Sequence, residues 1–400
     1  MQKAYAAIVG VGRTKFGEHY EVEPERLIDA AGLAALNSAK IERRDLQGIY
    51  FANYFLQITN KIGLEEGFMS ELLELHVPME TVRCFSSALH NAINALNAGH
   101  CDVALVGGVE KMTDRSDKIR DDLMLLDCQW SYFAGGTPEA NHELMLREYI
   151  KKHRLSQTDQ DRLMTALAQI SVKNHYYGSM NEYAQFYGRK ITIDDVFKER
   201  KASGKSLGLY DFAPISDGAT ALILVRPELA HSYSDKPTYV TGYSSATDFI
   251  SYPMREDRSA FLSTRLASGR ALRMAGTDIR SIGLAEVCDP STVSELNALE
   301  DLGFLKRGEA WRSVYKSYQD GTWFYETDSG PLFINTNGGC KADGSPLGAK
   351  GGAHIIEIVT QMRKEAGPRQ IKGDRELTQG IALEHEGFGT KSYVHVLTRE

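Results

Sequence analysis

The chain has 400 residues with a formal net charge of −7, and 42% of them are hydrophobic, which suits a globular protein of two or three domains. The acidic balance argues against a nucleic-acid-binding surface, because such a surface needs a basic face. No apolar run approaches the about 20 residues that cross a membrane, and the amino terminus lacks the features of a signal peptide. We therefore expect a cytoplasmic protein.

Strand and helix patterns alternate through the first hundred residues. Strands are predicted at 6–9, 48–52, 80–83 and 102–106, and helices at 25–39 and 86–98. This alternation predicts an α/β architecture with a largely parallel sheet.

The composition changes after Thr113. Residues 114–205 are charged, rich in tyrosine and helical in pattern, with helices predicted at 141–153 and from Ser156 or Thr158 to about 174. We interpret this block as an inserted, mostly helical subdomain. Strand patterns then resume at 219–225, 238–242, 282–287, 381–384 and 393–397. Both parts of the chain carry a strand, a helix, an apolar strand and a glycine-rich turn, which leaves internal duplication open.

Cys84 is the first candidate for chemistry, because a β-branched strand ends there and a helix of small residues begins directly after it. A thiol at a helix N-terminus lies near the positive end of the dipole, which favours the thiolate, and the free backbone N–H groups can hold an oxyanion. The alternative is a buried cysteine that packs as a small hydrophobic residue.

The second candidate is the loop 335–352, which contains Asn337, Ser345 and six glycines, Gly338 and Gly339 among them. It lacks the order of a phosphate-binding loop, and Gly10-Val-Gly12 is not followed by the third glycine of a dinucleotide fingerprint. The loop could instead serve to pack two sheets closely.

Two further strand ends carry reactive side chains. His385 and Gly387 lie in the segment 384–389, where a histidine leaving a strand is well placed as a base. Cys288 lies where another strand gives way to a helix, with the same geometric advantages as Cys84. The five cysteines show no CxxC spacing, so neither a disulfide framework nor a metal site is expected in this chain.

In this order, the motifs resemble those of the thiolase superfamily, in the branch of sterol carrier protein X and the archaeal acetoacetyl-CoA thiolases. The Cys84 segment and residues 102–112 are similar to the nucleophile segment and the strand after it. Residues 337–339 and 344–349 are similar to the NGG…GHPxGA loop. The segments similar to that branch's inserted loop domain are 172–175, 184–186, 191–196 and 213–219.

The resemblance covers nearly the whole chain and implies a five-layer αβαβα sandwich of two similar halves. Residues 1–113 and 206–235 would form the N-terminal half, residues 236–400 the C-terminal half, and residues 114–205 a loop domain covering CoA. The implied reaction is acyl transfer through a thioester on Cys84, with CoA as a substrate and no resident cofactor. A homodimer core is also implied, as is a small zinc-ribbon/OB-fold partner, which would be the only source of zinc.

Two positions depart from the family pattern. The GHP histidine is Ser345, and the HDxF histidine is Cys288, whereas His385 matches a histidine of the archaeal branch. We expect His385 to activate a thiol, Cys288 to handle the proton on the substrate carbon, and Ser345 to donate a hydrogen bond to a thioester oxygen.

The leading hypothesis is thiolysis of a 3-oxoacyl-CoA, or the reverse condensation, on a bulky or aromatic acyl group such as benzoylsuccinyl-CoA. The altered catalytic positions leave two alternatives open. One is cysteine-dependent acyl transfer to carbon of a small aromatic acceptor. The other is an inactive thiolase-like scaffold subunit.

Overall fold

The computed structural model describes residues 3–372 and 377–399. Its strands are β1 (Ala6–Arg13), β2 (Gly48–Ala52), β3 (Met79–Val82), β4 (Val103–Lys111), β5 (Asp217–Val225), β6 (Thr238–Thr247), β7 (Leu284–Val287), β8 (Tyr325–Thr327), β9 (Gly330–Ile334), β10 (Gln379–Glu386) and β11 (Lys391–Thr398). Every predicted strand is present, and most extend further than predicted. The short hairpin of β8 and β9 was not predicted.

The α-helices are α1 (Pro24–Ala39), α2 (Leu56–Thr59), α3 (Glu65–Leu73), α4 (Phe85–Ala98), α5 (Ile119–Leu123), α6 (Gln129–Phe133), α7 (Pro138–His153), α8 (Gln157–Gly178), α9 (Ile193–Ser203), α10 (Ala230–Tyr233), α11 (Leu262–Ala275), α12 (Thr292–Asp301), α13 (Ala310–Asp320), α14 (Gly339–Ala342) and α15 (Lys350–Arg363). Between β4 and β5 the described chain is helical, as the composition predicted. The domain limits at 113, 205 and 235 remain predictions.

The strand order repeats. The first half has the order β3-β2-β4-β5-β1 and the second half β9-β7-β10-β11-β6, and β1 pairs with β6 to join them. Strands that occupy equivalent places in the two halves therefore follow one another in the same chain order. This repetition answers the open question of duplication in favour of two similar halves.

The expectation of a largely parallel sheet was wrong. β2 pairs in parallel with β3 and β4, and β7 pairs in parallel with β9 and β10. However, β5 and β11 each run antiparallel to both of their neighbours. The sheet is mixed because the last strand of each half returns by a hairpin or through the helical block, rather than through a crossover helix.

Helices lie between the halves and outside them. α4 packs on β2 and β4, α15 packs on β7 and β10, and these two helices contact each other in the middle layer. α1 covers β1 and β5 on one outer face, whereas α11 covers β6 and β11 on the other. The five-layer thiolase fold predicted from the resemblance is confirmed.

Gly10 and Gly12 allow β1 to lie against α1. A Cβ atom at Gly10 would lie 2.3 Å from the Ala35 carbonyl oxygen, and one at Gly12 would lie 2.2 Å from that of Ala31. The Gly-x-Gly motif of the amino terminus thus serves helix–strand packing.

The helical block packs mainly on the second half, where α8 contacts α12 and α13. Its short helix α6 is exposed, with Trp130 and Phe133 accessible to 71% and 74%. These aromatic residues form a surface and not a core. Across the described residues, every helix is too short or too polar to cross a membrane.

Candidate active site

A cavity of about 1350 Å³ lies between the helical block and the sheet edge of the second half. Its buried lining residues include Cys288, Ser345, Lys350, His385 and Lys341. Exposed cations line it as well, at Arg120, Arg147, Arg189, Lys190 and Lys205. The cavity is larger than the usual range of about 300–1000 Å³ for small-molecule sites.

Neighbouring strand ends bring the reactive side chains together. Cys288 follows β7 directly, and its backbone N–H donates to the Leu383 carbonyl oxygen of β10 at 2.9 Å. His385 lies two residues further along β10, on the same edge. Ser345 is held from the other side, because its backbone N–H donates to Ser216 Oγ at 2.9 Å.

Among the thiols of this group, Cys288 is the one whose pKa is lowered. A hydrogen bond from the Cys340 thiol, the positive charge of Lys350 and a hydrogen bond from His385 lower its pKa well below the usual range, although burial opposes them. Cys340 keeps its proton, since the neighbouring Cys288 and burial raise the pKa of the Cys340 thiol. These interactions favour the thiolate form of Cys288 and the protonated form of Cys340.

His385 contacts Cys288 and is oriented by a second partner. Its Nε2 atom lies 2.9 Å from Thr264 Oγ1, and its ring packs edge-on against Phe261 at a centroid distance of 4.9 Å. The described contacts thus join His385 to Cys288, and not to Cys84.

Cys84 immediately precedes α4, at its N-cap position, but is fully buried and does not line the cavity. The carboxylate of Glu384 occupies this helix end, because its Oε2 accepts from the Ser86 N–H at 2.8 Å. Burial, followed by the charges of Glu384 and Glu386, raises the pKa of Cys84 well above its usual value. The expected stabilisation of a thiolate by the helix dipole is outweighed.

Tyr54 and Tyr393 surround Cys84. Tyr54 lines the cavity and lies close enough to interact with the thiol electrostatically, whereas the Tyr393 hydroxyl hydrogen-bonds to the thiol. Glu384 interacts with Cys84, Cys288 and Lys350. The site is therefore two adjacent thiol clusters that share one carboxylate.

The glycine-rich loop shapes the site from behind. Gly338 and Gly339 have φ angles of 112° and 61°, and the Asn337 side chain accepts from the Gly339 N–H at 2.7 Å. None of the three lines the cavity, whereas Gly387, with φ of 65°, does. The loop fixes Asp289, whose carboxylate accepts from the Cys340 N–H at 2.5 Å.

Three residues that the sequence reasoning did not single out belong to the site: Lys350, Cys340 and Glu384. Lys350 and Cys340 stand inside the glycine-rich loop, and Glu384 precedes His385. A charged or nucleophilic residue among close-packed glycines was the available signal. The described residues include no cluster of three or more His, Cys, Asp or Glu able to hold a metal, and the five cysteines are unpaired.

Comparison with known proteins places this geometry in a family. The model of the thiolase N-terminal domain matches residues 6–228, and that of the thiolase C-terminal domain-like family matches residues 244–399. The chain belongs to the thiolase family. The resemblance stated from the sequence is confirmed, and this thiolase is an enzyme of the acyltransferase class.

Two curated relatives are similar over almost their full length. The acetyl-CoA acetyltransferase of Methanothermobacter thermautotrophicus is 33% identical, covering 98% of this chain and 99% of the relative. Benzoylsuccinyl-CoA thiolase subunit BbsB of Thauera aromatica is 28% identical, covering 91% of each.

Among solved structures, the Ltp2-ChsH2(DUF35) aldolase superposes on this thiolase with a TM-score of 0.79 and 21% identity, covering 98% of this chain and 97% of the other. At that identity the similarity shows the fold alone. Since an aldolase shares the fold, the reaction has to be argued from the site.

Proposed function

We propose that this thiolase transfers acyl groups between CoA thiols through a cysteine thioester, cleaving a 3-oxoacyl-CoA with CoA or running the reverse condensation. One observation supports this most: a thiol with a lowered pKa, an imidazole and a hydroxyl converge in one large cavity, at Cys288, His385 and Ser345. A nucleophile or base, a proton carrier and an oxyanion donor are what such chemistry needs. The cations of the lining suit the phosphates of CoA.

Cys84 is the acyl acceptor in this proposal, because it stands at the position of the family nucleophile. Since Tyr54 lies beside the thiol and lines the cavity, access to Cys84 requires this side chain to move. Cys288 then acts as the base toward the substrate carbon, as expected from the sequence.

The test is acylation in the presence of a series of acyl-CoAs, located by mass spectrometry of peptides, in wild type, Cys84→Ser and Cys288→Ser. We expect an adduct on residue 84 in wild type and in Cys288→Ser, and none there in Cys84→Ser. Undiminished thiolysis by Cys84→Ser would contradict the assignment, and an adduct only on Cys288 would exchange the two roles. Cys128→Ser, a buried cysteine outside the cavity lining, serves as the matched control.

The substrate proposal is a bulky or aromatic acyl group, for which the cavity volume is the supporting observation. The relative from Thauera aromatica is named for benzoylsuccinyl-CoA. Competing acetoacetyl-CoA against benzoylsuccinyl-CoA at equal concentration tests the proposal. A higher kcat/KM for acetoacetyl-CoA would contradict it.

A small zinc-ribbon/OB-fold protein is the proposed partner, in addition to a homodimer core. Support comes from the exposed aromatic face of α6 and from the similar fold of the Ltp2-ChsH2(DUF35) aldolase, which is named with a DUF35 protein. We expect Trp130→Ser with Phe133→Ser to abolish co-purification with a co-expressed partner of this class. The matched control is Leu64→Ser, an exposed leucine elsewhere in the chain.

A further inference from the structure

Lys350 is a buried cation in the wall of the candidate active site. It is the first residue of α15, it is only 5% exposed, and it lines the cavity next to Cys288 and Ser345. The strongest attraction on its ammonium group comes from Cys288, to which it hydrogen-bonds, and a weaker one comes from Glu384. A buried lysine is costly unless an anion balances it, so this position selects a negative partner.

We propose that Lys350 is a positioning residue that holds Cys288 as a thiolate. Cys288 then serves as the base in place of the GHP histidine, which is Ser345 in this chain. This inference rests on the proposed function and deepens it. Its geometric support is that Lys350 and Cys288 are both buried and line the same cavity. The Cys340 thiol is a hydrogen-bonding neighbour of Cys288.

The proton transfer balances without a further reactant. In the condensation direction, the Cys288 thiolate takes a proton from the carbon next to the thioester carbonyl, forming an S–H bond. The electron pair of the broken C–H bond becomes the enolate, which attacks the acyl carbon of the Cys84 thioester. The acyl C–S bond then breaks, and Cys84 leaves as a thiolate. Once the Cys288 sulfur is neutral, the charge of Lys350 is free to stabilise the enolate oxygen. In thiolysis the same S–H returns its proton to the departing carbon.

Lys350 is the positive charge that stabilises the Cys288 thiolate, and the other titratable groups around Cys288 do not take this role. Burial lowers the pKa of His142 to about 3 and that of His354 to about 4, so both are neutral at working pH. Burial raises the pKa of Glu384 to about 7 and that of Asp289 well above its usual value, which reduces their negative charge. His385 donates a hydrogen bond, and Cys340 stays a thiol.

The experiment follows the alkylation of Cys288 by iodoacetamide as a function of pH, with peptide mapping by mass spectrometry and no substrate present. In Lys350→Met we expect the rate at pH 6 to fall about 10-fold or more, since each pKa unit changes the thiolate fraction tenfold. Lys350→Arg keeps the charge and should stay much closer to wild type. Lys306→Met removes a lysine that pairs with Glu309 outside the cavity lining, and should leave the profile unchanged.

An unchanged profile in a folded Lys350→Met variant would overturn the inference. If that variant does not fold, the wild-type profile decides, because an alkylation midpoint at or above that of an ordinary thiol would also overturn it. Failure of the proposed function has a different signature: a wild-type enzyme that turns over no acyl-CoA at all, with the alkylation profile intact.

Discussion

At the scale of single residues, His385 and Ser345 face the same cavity but differ in what they can do with a proton. The imidazole of His385 is oriented by Thr264 and contacts Cys288, so it can pass a proton to or from that sulfur. A serine hydroxyl does not accept a proton near neutral pH. Ser345, held through its backbone by Ser216, has a hydroxyl that can donate to a substrate oxygen.

We therefore expect His385→Ala to lower the turnover rate by about 10²–10⁴, the usual contribution of a general acid or base. Ser345→Ala should lose about 10²–10³ or less, the contribution of one oxyanion donor. Steady-state thiolysis measures both, with circular dichroism as the check on folding. The division of roles is wrong if Ser345→Ala is the more damaged of the two.

Three residues of the site could be predicted from the sequence, whereas the electrostatics of its thiols could not. The motifs brought Cys288, Ser345 and His385 forward, and these three do share one cavity. The pKa shifts of the Cys84 and Cys288 thiols could not be predicted from the sequence, because they depend on side chains from distant segments. Glu384, for example, accepts from the Ser86 N–H although the two residues are 298 positions apart in the chain. The electrostatics of Cys84 come from this tertiary contact and outweigh the local helix dipole, which is all that the sequence displays.

At the scale of elements, the glycine-rich loop carries a steric requirement. A Cβ atom at Gly339 would lie 2.6 Å from both carboxylate oxygens of Asp289, and the residue already has a positive φ of 61°. Gly339→Ala should destabilise the fold by at least the ~1–3 kcal/mol of such backbone strain. It should also slow Cys288 alkylation, because a shift of Asp289 would displace Cys340. The Cys340 backbone N–H donates to Asp289, and its thiol hydrogen-bonds to Cys288. Thermal unfolding and the alkylation rate measure the two effects.

Gly32 offers the matched control for this change. It lies inside α1, and a Cβ atom there would meet nothing within 4 Å. Gly32→Ala should therefore raise stability by about 0.5–1 kcal/mol, the ordinary gain in helix propensity. Equal melting temperatures for the two variants would refute the steric argument.

Elements were predictable where their signal is local. A short, continuous apolar run located β2 at its observed limits, and capping residues located the start of α8 behind Ser156. The mixed sheet was not predictable in this way, because strand direction depends on how the chain returns to the sheet. Neither β5 nor β11 carries a mark of its antiparallel pairing in its own residues.

At the scale of the whole molecule, buried carboxyl groups set a pH dependence. Asp301 ends α12, and burial raises its pKa to about 7, although the Phe261 N–H donates to its Oδ2 at 2.7 Å. The folded state then binds the proton more tightly than the unfolded chain, where the pKa is about 4. This contribution to stability is complete below pH ~4 and is lost as the pH rises through about 7.

Asp301→Asn should remove this dependence while the amide oxygen still accepts from Phe261. Relative to wild type, the free energy of unfolding of the variant should increase between pH 5 and pH 8 in urea denaturation. Asp278→Asn is the control, since the ion-pair hydrogen bonds from Arg280 lower the pKa of Asp278 to about 2, outside this window. A difference between Asp301→Asn and wild type that stays constant across the range would refute the assignment.

The shared carboxylate of Glu384 lies between the first turns of α4 and α15. It accepts from the Ser86 N–H, and a Cβ atom at Gly351 would lie 2.3 Å from its Oε2. The two similar halves thus direct two helix dipoles at one internal carboxyl group. Removing that carboxyl group leaves a cavity of the size of a small carboxylic acid. Formate should raise the melting temperature of Glu384→Ala by several degrees more than that of wild type in the same salt. Equal increases in melting temperature for the variant and wild type would mean that water, and not formate, satisfies the backbone N–H groups at the two helix ends.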